Sequence, residues 1–173
     1  VYFGAMVGGA RRMRALQEKI EQAAAVDLPV LIVGETGSGK ELVAREIHQR
    51  SLRAKHPFVA LNTGAIPREL IASELFGHVK GAFTGATDSR EGRFVEAGVG
   101  SLFLDEIGTM EDRVQVSLLR VLENGVLRPV GSKKDQETHA RVIAASNEDL
   151  DDLVSSGQFR SDLMYRLEVM RID

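Results

Sequence analysis

The chain has 173 residues, 43% of them hydrophobic, and 22 Lys plus Arg against 25 Asp plus Glu give a formal net charge of −3. This is the length of about one domain with enough apolar mass for a core, which argues against disorder, and the acidic balance argues against a surface that grips nucleic acid throughout. The absence of cysteine removes disulfides, thiolate metal sites and thiol nucleophiles together.

No apolar run approaches the roughly eighteen residues needed to cross a bilayer, so no membrane partner is expected. Val1 to Met6 resemble neither a signal peptide nor a helix start. Residues 1–6 read as a tag remnant or disordered lead, which leaves 7–173 for the fold. Met13, Leu16, Ile20, Ala23 and Ala24 recur at helical spacing until Asp27-Leu28-Pro29 ends the run. Val30 to Val33 is a short apolar strand. A glycine-rich turn then leads into a helix carrying Leu42, Val43 and Ile47. Phe58 to Leu61 reads as the next strand, and Pro67 opens a helix with Leu70, Ile71 and Leu75 on one side. Leu102 to Leu104 is another buried strand, followed by the clearest helix, with Val114, Leu118, Val121 and Leu122 on one face. Val142 to Ala145 and Val169 to Ile172 complete the strands, and the chain stops at Asp173 in strand-like sequence, as if cut. Short strands without polar alternation, separated by helices, indicate an α/β fold with a parallel sheet covered on both faces, whose ligands bind at the strands' carboxyl ends. Two segments, Gly77 to Arg90 and Gly125 to Glu137, break the alternation.

Chemistry is concentrated at two of those strand ends. Gly34-Glu35-Thr36-Gly37-Ser38-Gly39-Lys40-Glu41 lies between a strand and a helix, the setting in which backbone N–H groups, a lysine and a helix N-terminus cradle phosphate. The competing reading is a plain glycine turn with a solvated lysine. Glu41 stands where the general pattern has a magnesium-binding Ser or Thr, so its carboxylate must face a cation or point along the helix away from phosphate. Asp105 and Glu106 follow the Leu102 to Leu104 strand and suit a division of labour: Asp105 holds Mg²⁺ through water, and Glu106 polarises the water that attacks the γ-phosphate. Helix-capping acids ahead of Met110-Glu111-Asp112 are the bland alternative.

Together with Glu74 to Ala86 and Ser101 to Ile107, the loop at Gly34 to Glu41 closely resembles the AAA+ central domain of sigma-54-dependent transcription activators. The run Gly81-Ala82-Phe83-Thr84-Gly85-Ala86 matches that family's signature, and Glu41 matches its usual loop. The resemblance runs from about Val7 to the last residue. It implies a P-loop NTPase fold, the AAA+ α/β subdomain with a five-stranded parallel sheet, and a helical lid that would follow Asp173. It implies ATP and Mg²⁺ as cofactors, with Gly34, Glu35, Thr36, Gly37, Ser38, Gly39, Lys40, Glu41 and Leu42 around the phosphates. Met6, Val7 and Gly8 match the stretch near adenine, although Arg11 stands where proline is common. Asn62 matches the residue that holds the catalytic glutamate until the γ-phosphate is sensed, and Ser146-Asn147 the polar pair at the sensor position. Arg160 and Arg166 match arginines that reach a neighbouring subunit's nucleotide. Six residues apart, they cannot share one helical face unless a helix starts between them. The other reading of Arg160 is a surface ion pair with Asp162, worth at most about 1 kcal/mol.

In the signature, Gly81 and Gly85 free the backbone around Phe83 and Thr84. An apolar ring there, whose burial is worth roughly 1.5–3 kcal/mol, is a candidate contact for a partner. The resemblance makes that partner sigma-54 RNA polymerase. The expected activity is ATP hydrolysis by a hexameric or heptameric ring in the bacterial cytoplasm, driving the Gly81–Ala86 loop, with DNA reached only through a domain outside these residues. A chain ending before the lid is expected to turn over weakly. Two alternatives remain: another AAA+ machine, such as a helicase or clamp loader, which would have no use for the signature, and a nucleotide-gated interaction module without useful catalysis. The four histidines, His48, His56, His78 and His139, lack metal-ligand spacing, and Lys133-Lys134 reads as a solvated turn.

Overall fold

The computed structural model describes residues 2–3, 6–7, 10–35, 37 and 39–173. Of the residues expected at the nucleotide, Gly8, Thr36 and Ser38 lie outside the described residues, and for Val7 only the backbone lies within them. The short strands β1 (Tyr2–Phe3) and β2 (Met6–Val7) pair antiparallel. Then follow α1 (Ala10–Ala25), β3 (Val30–Val33), α2 (Lys40–Gln49) and β4 (Phe58–Asn62). Two 3₁₀ turns at Thr63–Ala65 and Arg68–Leu70 lead to α3 (Ile71–Phe76) and α4 (Arg93–Ala97). After β5 (Ser101–Asp105) and a turn at Ile107–Thr109 comes α5 (Asp112–Asn124). A ribbon of β6 (Val126–Leu127) and β7 (Gln136–Glu137) precedes β8 (Arg141–Ser146), α6 (Leu150–Ser155), α7 (Ser161–Leu167) and β9 (Met170–Ile172).

Five strands form one parallel sheet in the order β4-β5-β8-β3-β9. The continuous apolar runs have a simple cause, since successive side chains on a strand point to opposite faces and both faces are covered. Leu31, Leu102, Leu104, Val142 and Ala144 pack with α3, α5 and α7 on one side. Val30, Ile32, Phe103, Ile143 and Ala145 pack with α1 and α2 on the other. Two expected core positions differ. Leu70 falls in the 3₁₀ turn ahead of α3, where the tighter winding turns it outward, and Leu42 lies in the first turn of α2; both are largely exposed. The two segments that broke the alternation pack on each other: Val79 N–H donates to the Val130 carbonyl and Val130 N–H to that of Gly77, 3.1 and 2.9 Å.

Polar side chains tie the opposite, amino edge of the sheet. Arg53 forks onto Asp27 and also donates to the Val99, Gly100 and His139 carbonyls. His48 is buried between the Ser101 hydroxyl at 2.8 Å and the His56 carbonyl at 2.9 Å. Because the carbonyl can only accept, Nε2 carries the proton and Nδ1 accepts from Ser101, an arrangement suited to the neutral ring. Burial pushes the His48 pKa below its ordinary value. A folded-state pKa below the unfolded one means that His48 contributes stability above about pH 6.5, lost as the pH falls through the folded-state value. Thermal midpoints measured between about pH 7 and about pH 5 should therefore drop more for the natural chain than for His48→Gln.

Candidate functional site

β3 delivers its last residue to the carboxyl edge, where Gly34 N–H donates to the Ser146 carbonyl of β8 at 3.1 Å. Gly37 and Gly39 adopt left-handed backbone (φ 84° and 87°), a region that costs glycine nothing, so the chain turns sharply and presents the N-terminus of α2 to the edge. Lys40, the first residue of α2, is buried, and its ammonium donates to the Gly34 and Glu35 carbonyls at 2.7 and 3.1 Å. A cation held by neutral dipoles beside a helix N-terminus is a seat for an anion. Glu41 does not share it. Its carboxylate turns along α2 to Arg45, 3.4 Å away, the second of the two directions open to it.

The carboxylates stand on the same edge because the register puts them there. Asn62 ends β4 opposite Asp105, which ends β5, while Ser146 ends β8 opposite Val33 of β3. Asp105 Oδ1 accepts the Glu106 N–H at 2.9 Å. Glu106 is the one non-glycine with positive φ among the described residues (φ 55°, ψ 46°), a conformation that costs about 1–2 kcal/mol. Its carbonyl is held by the hydroxyls of Thr63 and Thr109, at 2.8 and 2.9 Å, and Thr63 also reaches the Asp105 carbonyl. Asn62 Oδ1 accepts from Gly64 N–H, which is the loop-capping bond of a short polar side chain. The Glu106 carboxylate lies against Gly64, and a methyl there would overlap its Oε2. Asn62, Gly64 and Glu106 thus form one cluster. Among the described residues no three His, Asp or Glu gather as a metal site. A cation at Asp105 would draw most of its ligands from water and phosphate, and that arrangement fits Mg²⁺.

The sensor pair divides. Ser146 is buried, its hydroxyl donating to the Glu148 carbonyl at 2.6 Å, whereas Asn147 is exposed at the edge. Arg160 and Arg166 pair with acids of α5 and α7 rather than with the Lys40 loop. A helix start does fall between them, with Arg160 at the N-cap of α7 and Arg166 in its last turn. Arg160 forks onto Asp162 at 3.1 Å and reaches Asp112 at 3.3 Å, which is the surface ion pair weighed above, while Arg166 pairs with Glu123 at 3.3 Å. Its Asp162 and Asp112 partners hold Arg160 more firmly protonated, and Arg160 in turn pulls Asp162 below the usual carboxylate range. Arg160 lines a cleft of about 810 Å³ together with Arg68, Thr109 and Asp112.

The Gly81–Ala86 loop is folded back rather than standing clear of the domain. Gly81 N–H donates to the Ala86 carbonyl and Ala86 N–H to that of Phe83, at 2.9 and 3.0 Å, with Gly81 and Gly85 at φ 81° and 91°. The Phe83 ring meets His78 edge-on with centroids 4.9 Å apart, and remains 39% exposed. Phe83 and Thr84 line a groove of about 730 Å³ with Phe76, Val114 and Val130. His78 is buried, and its Nδ1 bonds the Ser73 hydroxyl of α3 at 2.7 Å. Gly131 has no room for a side chain because Ala82 of the loop rests on it. His48 and His78 are therefore buried polar anchors, and Lys133 and Lys134 are exposed in their turn.

Sequence reasoning missed Thr63, Gly64 and Gln115 as parts of this region. Only Gln115 left a mark that could have been read, as an amide inside the apolar stripe of the clearest helix.

Residues 6–173 match the family model described as the sigma-54 interaction domain. The chain is 52% identical over 168 residues to the transcriptional regulatory protein ZraR of Klebsiella oxytoca, covering 97% of this chain and 38% of that protein. It is 51% identical to the DNA-binding transcriptional regulator NtrC of Proteus hauseri, covering 96% of this chain and 35% of the relative. Crystal structures of NtrX from Brucella abortus in complex with ADP and with ATP each superpose with a TM-score of 0.89 at 36% identity, over 96% of this chain and 36% of theirs. The P-loop NTPase domain of a sigma-54 activator from E. coli, at 18% identity and a TM-score of 0.65, shares the fold. The chain thus spans a little over a third of the length of these full-length relatives.

The parked loop is open to direct measurement. His78→Ala removes the surface on which Phe83 rests, a ring contact worth about 0.5–1.5 kcal/mol, so amide exchange across Gly81–Ala86 should quicken about two- to tenfold. The amides of β5 and β8 should be unchanged.

Proposed function

The chain belongs to the sigma-54 interaction domain family, and from that premise we propose that it binds ATP with Mg²⁺, hydrolyses it, and uses the hydrolysis to move the Gly81–Ala86 loop against sigma-54 RNA polymerase. The observation that carries this reading is the shared edge, on which the Lys40 seat, Asp105, Glu106, Asn62 and Ser146 are brought together by strand register. Gly34 to Leu42 form the cradle. Thr36 and Ser38 belong to it by sequence, as Val7 and Gly8 belong to the adenine stretch. Lys40 exchanges two neutral carbonyls for phosphate oxygens, a stronger, charge-assisted contact. Asp105 spends one oxygen on the Glu106 N–H and keeps the other for a hydrated metal. When bound, Mg²⁺ neutralises charge on the β- and γ-phosphate oxygens. Glu106 orients and deprotonates the attacking water, and Asn62, beside it on Gly64, is placed to hold its carboxylate until Asn147 meets the γ-phosphate.

Arg160 is half-buried and Arg166 exposed, and both pair with acids of α5 and α7 rather than with the Lys40 loop. That placement supports a role in a neighbour's site within a ring, where an arginine supplied in trans is worth about three to five decades of rate. The folded-back loop is the resting state, and Phe83 with Thr84 forms the contact offered to sigma-54 once it is released. The same proposal makes the protein a cytoplasmic ring that reaches DNA through another domain, and a relative named as a DNA-binding transcriptional regulator supports the last of these. In the full chain, Lys40→Ala should abolish ATP binding. Glu106→Gln should bind ATP within about threefold of the natural protein and lose turnover at least about a hundredfold. Thr84→Ala should keep turnover and lose sigma-54 capture in the presence of ATP plus a transition-state mimic. Sigma-54 capture left unchanged by Glu106→Ala would favour a nucleotide-gated module instead.

A further inference from the structure

Gln115 is 1% exposed, in the first turn of α5 on its apolar face, with Val114 beside it and Leu118 one turn on. A buried primary amide is costly unless its donors and acceptor are used. Here both Nε2 hydrogens and Oε1 are spent on main chain: Nε2 donates to the Met110 carbonyl at 2.9 Å and to the Gln158 carbonyl at 3.0 Å, and Oε1 accepts the Arg160 N–H at 2.8 Å. Those partners fix the amide's orientation, because the reverse placement would set the oxygen against two carbonyls. The three bonds join two distant stretches. Met110 closes the turn that begins at Glu106, its N–H donating to the Ile107 carbonyl, while Gln158 and Arg160 lead into α7. The Arg160 carbonyl opens α7 by accepting Met164 N–H at 3.1 Å, so both backbone groups of Arg160 are held.

We infer that Gln115 is a positioning residue for Arg160: its side-chain amide sets the backbone from which that guanidinium projects and fixes it relative to the segment that follows Glu106. The inference rests on the reading of Arg160 as an arginine supplied to a neighbouring site. An arginine acting across an interface reaches a phosphate oxygen only if its backbone is placed to within a fraction of an ångström, and misplacement by about 1 Å can cost a hundredfold in rate. The ion pairs with Asp162 and Asp112 are exposed and exchange readily; the buried amide does not.

The test is trans-complementation in the full chain. Gln115→Met keeps the length and volume of the side chain and suits its apolar surroundings but loses all three bonds. Alone it should bind a fluorescent ATP analogue within about twofold of the natural protein, with kcat lowered about tenfold or more and KM little changed. Its cradle is intact and its Arg160 displaced, while Glu106→Gln has a dead cradle and a placed Arg160. In a head-to-tail ring the mixture should turn over at least about fivefold faster than the sum of the two variants, because rescued interfaces join one good half of each. Gln115→Asn, polar but one methylene short, carries the same experiment if Gln115→Met does not fold. Mixing Arg160→Ala with Glu106→Gln is the control. Rescue of Arg160→Ala without rescue of the Gln115 variant overturns the inference, as does natural turnover by the Gln115 variant alone. Failure of the Arg160→Ala control, or full turnover by Glu106→Gln alone, counts instead against the proposed function.

Discussion

Parallel strand register is the constraint from which the rest of this molecule follows. A parallel sheet sends every strand's carboxyl end to one side, and hydrogen-bond pairing then decides which residues stand abreast there. Asn62 is aligned with Asp105 and Ser146 with Val33, so the amide, the carboxylates, the serine and the phosphate loop share an edge though more than a hundred residues of chain separate Val33 from Ser146. A slip of one residue in any pair would turn its side chains to the opposite face and dismantle the site along with the core.

Strain gathers where that edge meets chemistry. Glu106 occupies left-handed backbone, and the groups that hold it there come from separate segments: Thr63 after β4, Thr109 after the turn, and Asp105 beside it. Two hydroxyls on one carbonyl offset a conformation that a bulky residue avoids. The Glu106 carboxylate is left beside Gly64 and Asn62, close to the strand end from which the chain runs through α3 to the loop at Gly81–Ala86. The other end of that path is also pinned, since His78 pairs its backbone with Arg90 and its ring with Ser73 and Phe83. Glu106 and the loop are thus the two pinned ends of one continuous stretch of chain that runs from Gly64 through α3 to His78.

The two irregular segments acquire a purpose once they are seen together. The ribbon of β6 and β7 carries Val130 and Gly131 beneath the loop, and Gly131 is bare because Ala82 sits on it. Phe83 is neither sealed in the core nor free in solvent. At that intermediate burial the ring would forfeit only part of the free energy of a fully buried Phe on leaving its seat.

Much of this was legible in local chemistry. Apolar runs too short for helices and too continuous for half-exposed strands announced a doubly covered parallel sheet, and glycines between a strand and a helix beside Lys40 announced an anion seat, because backbone freedom and a helix N-terminus are properties of adjacent residues. The resemblance at Gly81–Ala86 was likewise carried by consecutive residues. Glu41 illustrates the boundary: its sequence left two directions open, and a partner one helical turn away, Arg45, took it along α2. Leu70 was misread because helical spacing does not reveal that a first turn winds as 3₁₀. Thr63 and Gln115 went unseen, and the Phe83 contact of His78 could not be read, because each acts on main chain or rings brought near only by folding: a hydroxyl on the Asp105 and Glu106 carbonyls, an imidazole under Phe83, an amide 45 positions from the backbone it holds. Spacing along a chain records which residues can share an element, and contacts between elements depend on how the elements pack.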